Sequence, residues 1–145
     1  IGVDAYYLPI KNNDLEFSKE NFEEILQNAV KKLKALSEKF NKDVIITEVG
    51  FCSGNCKREE RIKLKDQYLQ AYYYQRFMEV FSKQKFIKGF FWWAWNTDPY
   101  FGGEDDMCIS PQNKLSEYVI RKFYGGDVDK VDYKSDKRAK CSCTI

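Results

Sequence analysis

A carboxylate at the end of a buried apolar run is the feature of this sequence best suited to chemistry. The run is Asp43–Phe51 (DVIITEVGF), and the carboxylate is Glu48, followed at once by Val49 and Gly50. Val44, Ile45 and Ile46 are β-branched and favour a strand, and an unbroken apolar run is typical of a strand buried on both faces of a parallel sheet. A charge at the C-terminal end of such a strand is costly unless it is used or compensated, and in a (β/α) barrel that end carries the chemistry. Glu48 is therefore read as a catalytic carboxylate, with a buried ion pair to a lysine or arginine as the alternative. The chain has no histidine. That excludes Ser-His-Asp and Cys-His catalysis and every His-bearing zinc site, and it leaves acid–base work to Asp, Glu, Tyr, Cys or Lys.

Other side chains could serve the same chemistry. Trp92, Trp93 and Trp95 close the apolar stretch Phe86–Trp95 (FIKGFFWWAW). Indole stacks on the apolar C–H face of a sugar ring. Strand alternation puts Trp93 and Trp95 on one side and Trp92 on the other, one set for a cleft and one for a helix layer. Asp98, Asp105 and Asp106 follow on a polar loop, on the same rim as Glu48, where carboxylates can select hydroxyl geometry. A solvated loop is the plainer reading, and the Glu104-Asp105-Asp106 spacing does not match an EF-hand. Asp4 and Tyr6 share one face of the first strand.

These residues need elements to position them. Ile1–Leu8 reads as a strand closed by Pro9, and Asn21 with Glu24 resembles a capping box. Phe22, Ile25, Leu26, Ala29, Leu33, Leu36 and Phe40 then recur at helical spacing. After Asp43–Phe51 and a loop to Arg61, a second helix carries Leu69, Tyr72, Tyr73, Phe77, Val80 and Phe81. Phe86–Trp95 is the third strand. Ser110-Pro111 reads as the start of a third helix, bearing Leu115, Tyr118, Val119 and Phe123 and stopping at Gly125-Gly126. The order β-α-β-α-β-α implies an α/β fold with parallel strands and right-handed crossovers. It amounts to less than half of an eightfold barrel, which takes about 250 residues. The open sheet edges call for a missing part of the barrel or a partner chain. Residues 127–145 alternate Asp and Lys with almost no apolar side chains and read as a flexible tail ending in Cys-Ser-Cys, so residues 1–126 are the domain.

The chain has 145 residues, enough for one ordinary domain, with 43% apolar and 32% charged residues, a soluble globular composition. A net charge of +2 without a basic stripe argues against nucleic acid. No apolar run approaches the roughly 20 residues that span a bilayer. Aromatic residues make up 17% of the chain, which suits a bulky core or a carbohydrate-stacking cleft. Cys52, Cys56, Cys108, Cys141 and Cys143 favour a secreted or lumenal setting, with disulfides preferred over zinc because the spacings fit zinc ribbons poorly. A disulfide by Cys52 and Cys56 would stiffen the loop after Glu48. A chain that starts at Ile1, already in a strand, reads as a piece of something longer.

Four stretches in this order, IGVDAYYLP, VIITEVGF, GFFWWAWNTDP and GGEDDMCISPQNKLSEYVIRKFYGG, resemble the C-terminal part of a clan A (β/α)8 retaining glycoside hydrolase. The nearest likeness is to the mannanase-like glycoside hydrolase family 113, over about residues 1–126. The resemblance implies a partial TIM barrel holding the last three βα units, from the sixth strand to the eighth helix. It implies that Glu48 is the nucleophile, that Tyr6 hydrogen-bonds it, and that Trp93 is the platform beneath the reacting sugar. Trp95, Trp92, Asp4, Asp98 and Asp106 are the further substrate-binding candidates, although Asp4 stands where some relatives have asparagine. A retaining mechanism needs a second carboxyl about 5–5.5 Å away. The family's acid/base glutamate lies on an earlier strand, before Ile1, so this chain alone is expected to be inactive. The reading is therefore part of a hydrolase of β-linked, mannan-like polysaccharide, with no cofactor or metal. The alternative is a non-catalytic glycan-binding or structural module of a larger assembly.

Overall fold

The computed structural model describes residues 1–7, 19–53 and 67–128 of the chain. Pro9, Cys56, the charged run to Arg61, Cys141, Cys143 and nearly all of the expected tail lie outside the described residues. The elements are β1 (Gly2–Asp4), α1 (Lys19–Phe40), β2 (Val44–Val49), α2 (Gln67–Phe81), β3 (Ile87–Trp92) and α3 (Leu115–Phe123). The strands form one parallel sheet in the order β1-β2-β3. Alternating strands and helices thus give the parallel α/β arrangement that the apolar periodicities imply. The chain divides into two compact units, Ile1–Val49 with Arg76–Trp92, and Gly50–Gln75 with Trp93–Ile145.

The first unit contains the sheet. Phe22, Leu26, Ala29, Val30 and Leu33 of α1 are buried, as are Val44, Ile46 and Val49 of β2 and Phe77, Met78 and Phe81 of α2. Phe77 stacks on Phe81 at 4.2 Å and meets Phe90 edge-on at 5.5 Å. Burying an aliphatic or aromatic side chain of this size contributes about 1.5–3 kcal/mol, so this set dominates the stability of the unit. The sheet is not buried on both faces, because Ile45 is 41% and Phe91 64% exposed. A run of β-branched residues shows that a strand is apolar, but not how many layers cover it.

Helix α1 begins at Lys19, so Asn21 lies inside the first turn and not at the cap. At its other end Asn41 takes φ 48°, the Lys42 amide donates to Ser37 and the Asn41 amide to Glu38. Asn41 thus fills the left-handed position that closes a helix, a place more often held by glycine. Arg76 ties the helices of this unit together: its guanidinium reaches Glu23 of α1 at 2.5 Å and pairs with Glu79 of α2.

In the second unit Phe51, Tyr73 and Tyr74 are buried, with Phe51 edge-on to Tyr74 at 5.2 Å. Gln70, fully buried, donates to the Phe51 carbonyl at 2.6 Å and the Cys108 carbonyl at 3.2 Å, and accepts from Ser116 at 2.8 Å. One side chain thus satisfies backbone groups of two loops, which would otherwise be costly to bury. Helix α3 starts at Leu115 and not at Pro111, because Asn113 takes φ 54° and interrupts the turn that Ser110-Pro111 begins. Its buried face is Ser116, Glu117 and Ile120. The predicted stop holds: Gly126 donates to Arg121 and Gly125 to Lys122, closing the helix.

Candidate active site

Glu48 lies at the C-terminal end of β2, the second-last residue of the strand. A register irregularity between Val3 and Asp4 sets Asp4 opposite Glu48, where strict pairing would put it opposite Thr47, so that Thr47 is the extra residue of β2. Without this bulge the period of two would place Glu48 on the face of Val44 and Ile46, which is fully buried. The bulge breaks that alternation, and such features commonly re-aim side chains at active sites. Glu48 stays half-buried.

Tyr6 Oη donates to Glu48 Oε2 at 2.8 Å. Burial is the largest cause that holds the Tyr6 phenol well above its ordinary range, followed by its hydrogen bond to Glu48 and by the charges of Glu48 and Asp4. Tyr6 is therefore a protonated donor at any physiological pH. Asp4 is exposed and accepts a hydrogen bond from Thr47 Oγ1 at 2.7 Å. The structure thus brings together Glu48, Tyr6, Asp4 and a residue the sequence did not single out, Thr47. Among the described residues Glu48 has no ion-pair partner; Tyr6 holds its carboxylate instead.

The tryptophans separate differently from strict alternation. β3 ends at Trp92, so Trp93 and Trp95 lie beyond the strand. The Trp93–Ala94 peptide is cis. Trp92 lies 5.0 Å from Phe90 and 6.1 Å from Phe77, centroid to centroid. Its ring, half-buried, is part of the aromatic cluster of the first unit. In the second unit Trp93 is 47% and Trp95 48% exposed. Gly50 lets the chain at Trp93 come close: a Cβ on Gly50 would lie 2.0 Å from the Trp93 carbonyl oxygen, so no other residue fits there.

The loop carboxylates also divide. Asp98 is exposed, and its Oδ1 accepts the Tyr100 amide at 2.9 Å. Asp106, expected on the rim, is buried. Its carboxylate lies 2.8 Å from Lys114 Nζ and accepts the Cys108 amide at 3.1 Å. Lys114 also donates to Ser53 at 3.1 Å and to the Cys108 carbonyl at 2.7 Å. An ammonium with its donors satisfied and a carboxylate paired to it is a structural tie. The substitution that breaks it is Lys114→Met, which strands Asp106. Sequence gave no hint of this, since Lys114 reads as one of many surface lysines.

Parallel βα units with a tyrosine-held glutamate at a strand's C-terminal end are consistent with part of a (β/α)8 barrel, a fold whose active sites lie at that end of the strands. A family model for Glycoside Hydrolase Family 113 matches residues 1–108. The chain belongs to that family. Among solved structures it is similar to a GH113 β-1,4-mannanase (19% identity, TM-score 0.62), covering 87% of this chain and 38% of that one. A second neighbour is the GH113 β-mannanase AaManA from Alicyclobacillus acidocaldarius, solved with ManMIm (20% identity, TM-score 0.56, covering 71% and 36%). A third is a Faecalibacterium prausnitzii β-glucuronidase (14% identity, TM-score 0.54, covering 88% and 22%). The chain thus spans little more than a third of the two mannanases. No curated protein matches it in sequence. Among the described residues no helix is long and apolar enough to cross a membrane.

Proposed function

We propose that this chain supplies the nucleophile of a retaining glycoside hydrolase acting on β-linked, mannan-like polysaccharide, while the acid/base carboxyl comes from a part of the barrel outside these residues. The observation that carries the reading is the Tyr6–Glu48 hydrogen bond at the end of β2. The Glu48 carboxylate attacks the anomeric carbon and forms a glycosyl ester as the glycosidic oxygen leaves with a proton from the second carboxyl. Water activated by that same group then cleaves the ester, and the configuration is retained. Tyr6 sits on Oε2, which leaves Oε1 for the attack. Tyr6 keeps the carboxylate oriented through the cycle.

Trp93 and Trp95 offer indole faces for sugar C–H stacking, and Asp4 and Asp98 offer acceptors for sugar hydroxyls. Among the described residues β1 and β3 each have a single strand neighbour, and their other edges are where the remaining strands of the barrel pair, in this protein or in a partner chain. A secreted or lumenal setting belongs to the same reading, supported by the five cysteines of the chain.

The test is Glu48→Gln in a protein that contains both carboxyls. Hydrolysis of β-1,4-mannan is expected to fall about 10⁴-fold or more, as for loss of a covalent nucleophile. Undiminished turnover would end the assignment. The exposed tryptophans also support a second reading, glycan binding without catalysis. It is favoured if oligosaccharide binds in calorimetry while the assembled protein hydrolyses nothing.

A further inference from the structure

Beyond Trp95 the chain forms a turn that is held from several sides. Asn96 Oδ1 accepts the Asp98 amide at 2.9 Å, Asp98 Oδ1 accepts the Tyr100 amide at 2.9 Å, and the Phe101 amide donates to the Asp98 carbonyl at 3.1 Å. Asp98–Phe101 is therefore a four-residue turn with aspartate first and Pro99 second, where both are favoured. Two neighbouring side chains clamp it. Gln112, buried, accepts the Asn96 amide and donates to the Asn96 carbonyl at 3.0 Å and the Asp98 carbonyl at 3.2 Å. Asn113 Nδ2 donates to the Pro99 and Phe101 carbonyls, each at 2.8 Å. Behind the turn, Gly102 at φ 89° lets the Gln112 carbonyl come to 2.1 Å from where a Cβ would stand.

This ordering fixes backbone that a plain connection would leave loose, so its conformational entropy is already lost before any ligand arrives. It ends in two exposed rings: Trp95 is 48% and Tyr100 46% exposed, while Phe51, Tyr73 and Tyr74 of the same unit are buried. Asp98, also exposed, stands between them in sequence. A pre-ordered turn that presents aromatic faces and a carboxylate suits a pyranose: the rings take its C–H face and the carboxylate takes a hydroxyl. Rigidity here is advantageous, because binding then orders little further.

We propose that Tyr100 is a further sugar-contact residue, and that the turn from Trp95 to Tyr100 binds a sugar unit of a β-linked chain in addition to the one assigned to Trp93. The inference rests on the glycan reading above and adds a residue and a chain-length dependence to it. The turn engages oligosaccharides long enough to reach it and is irrelevant to short ones.

The test is calorimetric titration of the 145-residue chain with β-1,4-linked mannobiose and mannohexaose. Tyr100→Ala is expected to weaken hexaose binding about fivefold, the scale of one aromatic stacking contact, and to leave biose binding and the melting temperature unchanged. Tyr100→Phe, which keeps the ring, is expected to bind hexaose within about twofold of the wild type. Equal hexaose affinity in Tyr100→Ala and the wild type overturns the proposal while leaving the glycan reading standing. A parallel loss for both oligosaccharides also overturns it, since it would place Tyr100 at the common sugar position. If the wild type binds neither oligosaccharide but Trp93 and Trp95 remain exposed to a fluorescence quencher, the glycan reading itself fails, and this proposal with it.

Discussion

At the scale of single residues, what distinguishes Glu48 from Asp106 and Glu23 is its partner. Asp106 is paired to a buried lysine and the Glu23 carboxylate to an arginine, both stabilising ties, whereas Glu48 is held by a neutral phenol. A neutral donor orients a carboxylate without neutralising it, which is what a nucleophile requires. Tyr6→Phe removes that donor and little else. A hydrogen bond to a charged group contributes about 1.5–3 kcal/mol, so kcat/KM of the assembled enzyme is expected to fall roughly 10- to 100-fold. Steady-state kinetics on β-1,4-mannan measures this, and unchanged kcat/KM would show that Tyr6 merely packs. The position of Glu48 at a strand end and its hydrogen bond with Tyr6 were legible in the sequence, one from the apolar run and the other from a family likeness. Thr47, Gln112 and Asn113 were not, because their importance lies in partners distant along the chain.

At the scale of elements, helix–strand order and the core faces of α1 and α2 followed from periodicity, and the ends of elements did not. Phe40 continues the apolar pattern of α1 and yet is exposed, since the helix outruns its core. Trp93 and Trp95 continue the apolar run of β3, but pairing with β2 ends at Trp92. The tie between α1 and α2 carries a pH dependence. Hydrogen bonds from Arg76, and then from Gln27, lower the Glu23 pKa. A lowered folded value means that the stabilisation is present above the unfolded glutamate pKa of about 4.3 and is lost as pH falls through the folded value. Glu23 is partly exposed, so the effect is modest and screened by salt. Thermal melts of wild type and Glu23→Gln are expected to converge as pH drops from 6 to about 3 and to separate again above it. A constant difference across that range would rule out the pair as the cause.

At the scale of the whole molecule, the parallel sheet of the first unit has one strand neighbour each for β1 and β3 among the described residues. It also exposes Ile45 and Phe91, side chains more usual in an interior. Both features fit a chain that covers 38% of a related mannanase. The 145-residue chain by itself is expected to release no reducing sugar from β-1,4-mannan above the level of Glu48→Gln, while still binding manno-oligosaccharide. Turnover by the isolated chain that Glu48→Gln abolishes would mean that the second carboxyl is within it after all.

The sequence by itself determined the α/β order, the family and the glutamate at the strand's end. These are properties of residue type and of spacing along one element, and both can be read along a line. Only the tertiary structure decided that Trp92 packs while Trp93 and Trp95 stay exposed, and that Asp106 is consumed by Lys114. It alone decided that a bulge at Thr47 re-aims Glu48, and that Gly50 must be glycine. Each of these depends on which atoms of distant segments occupy the same few ångströms, and neither composition nor periodicity records that.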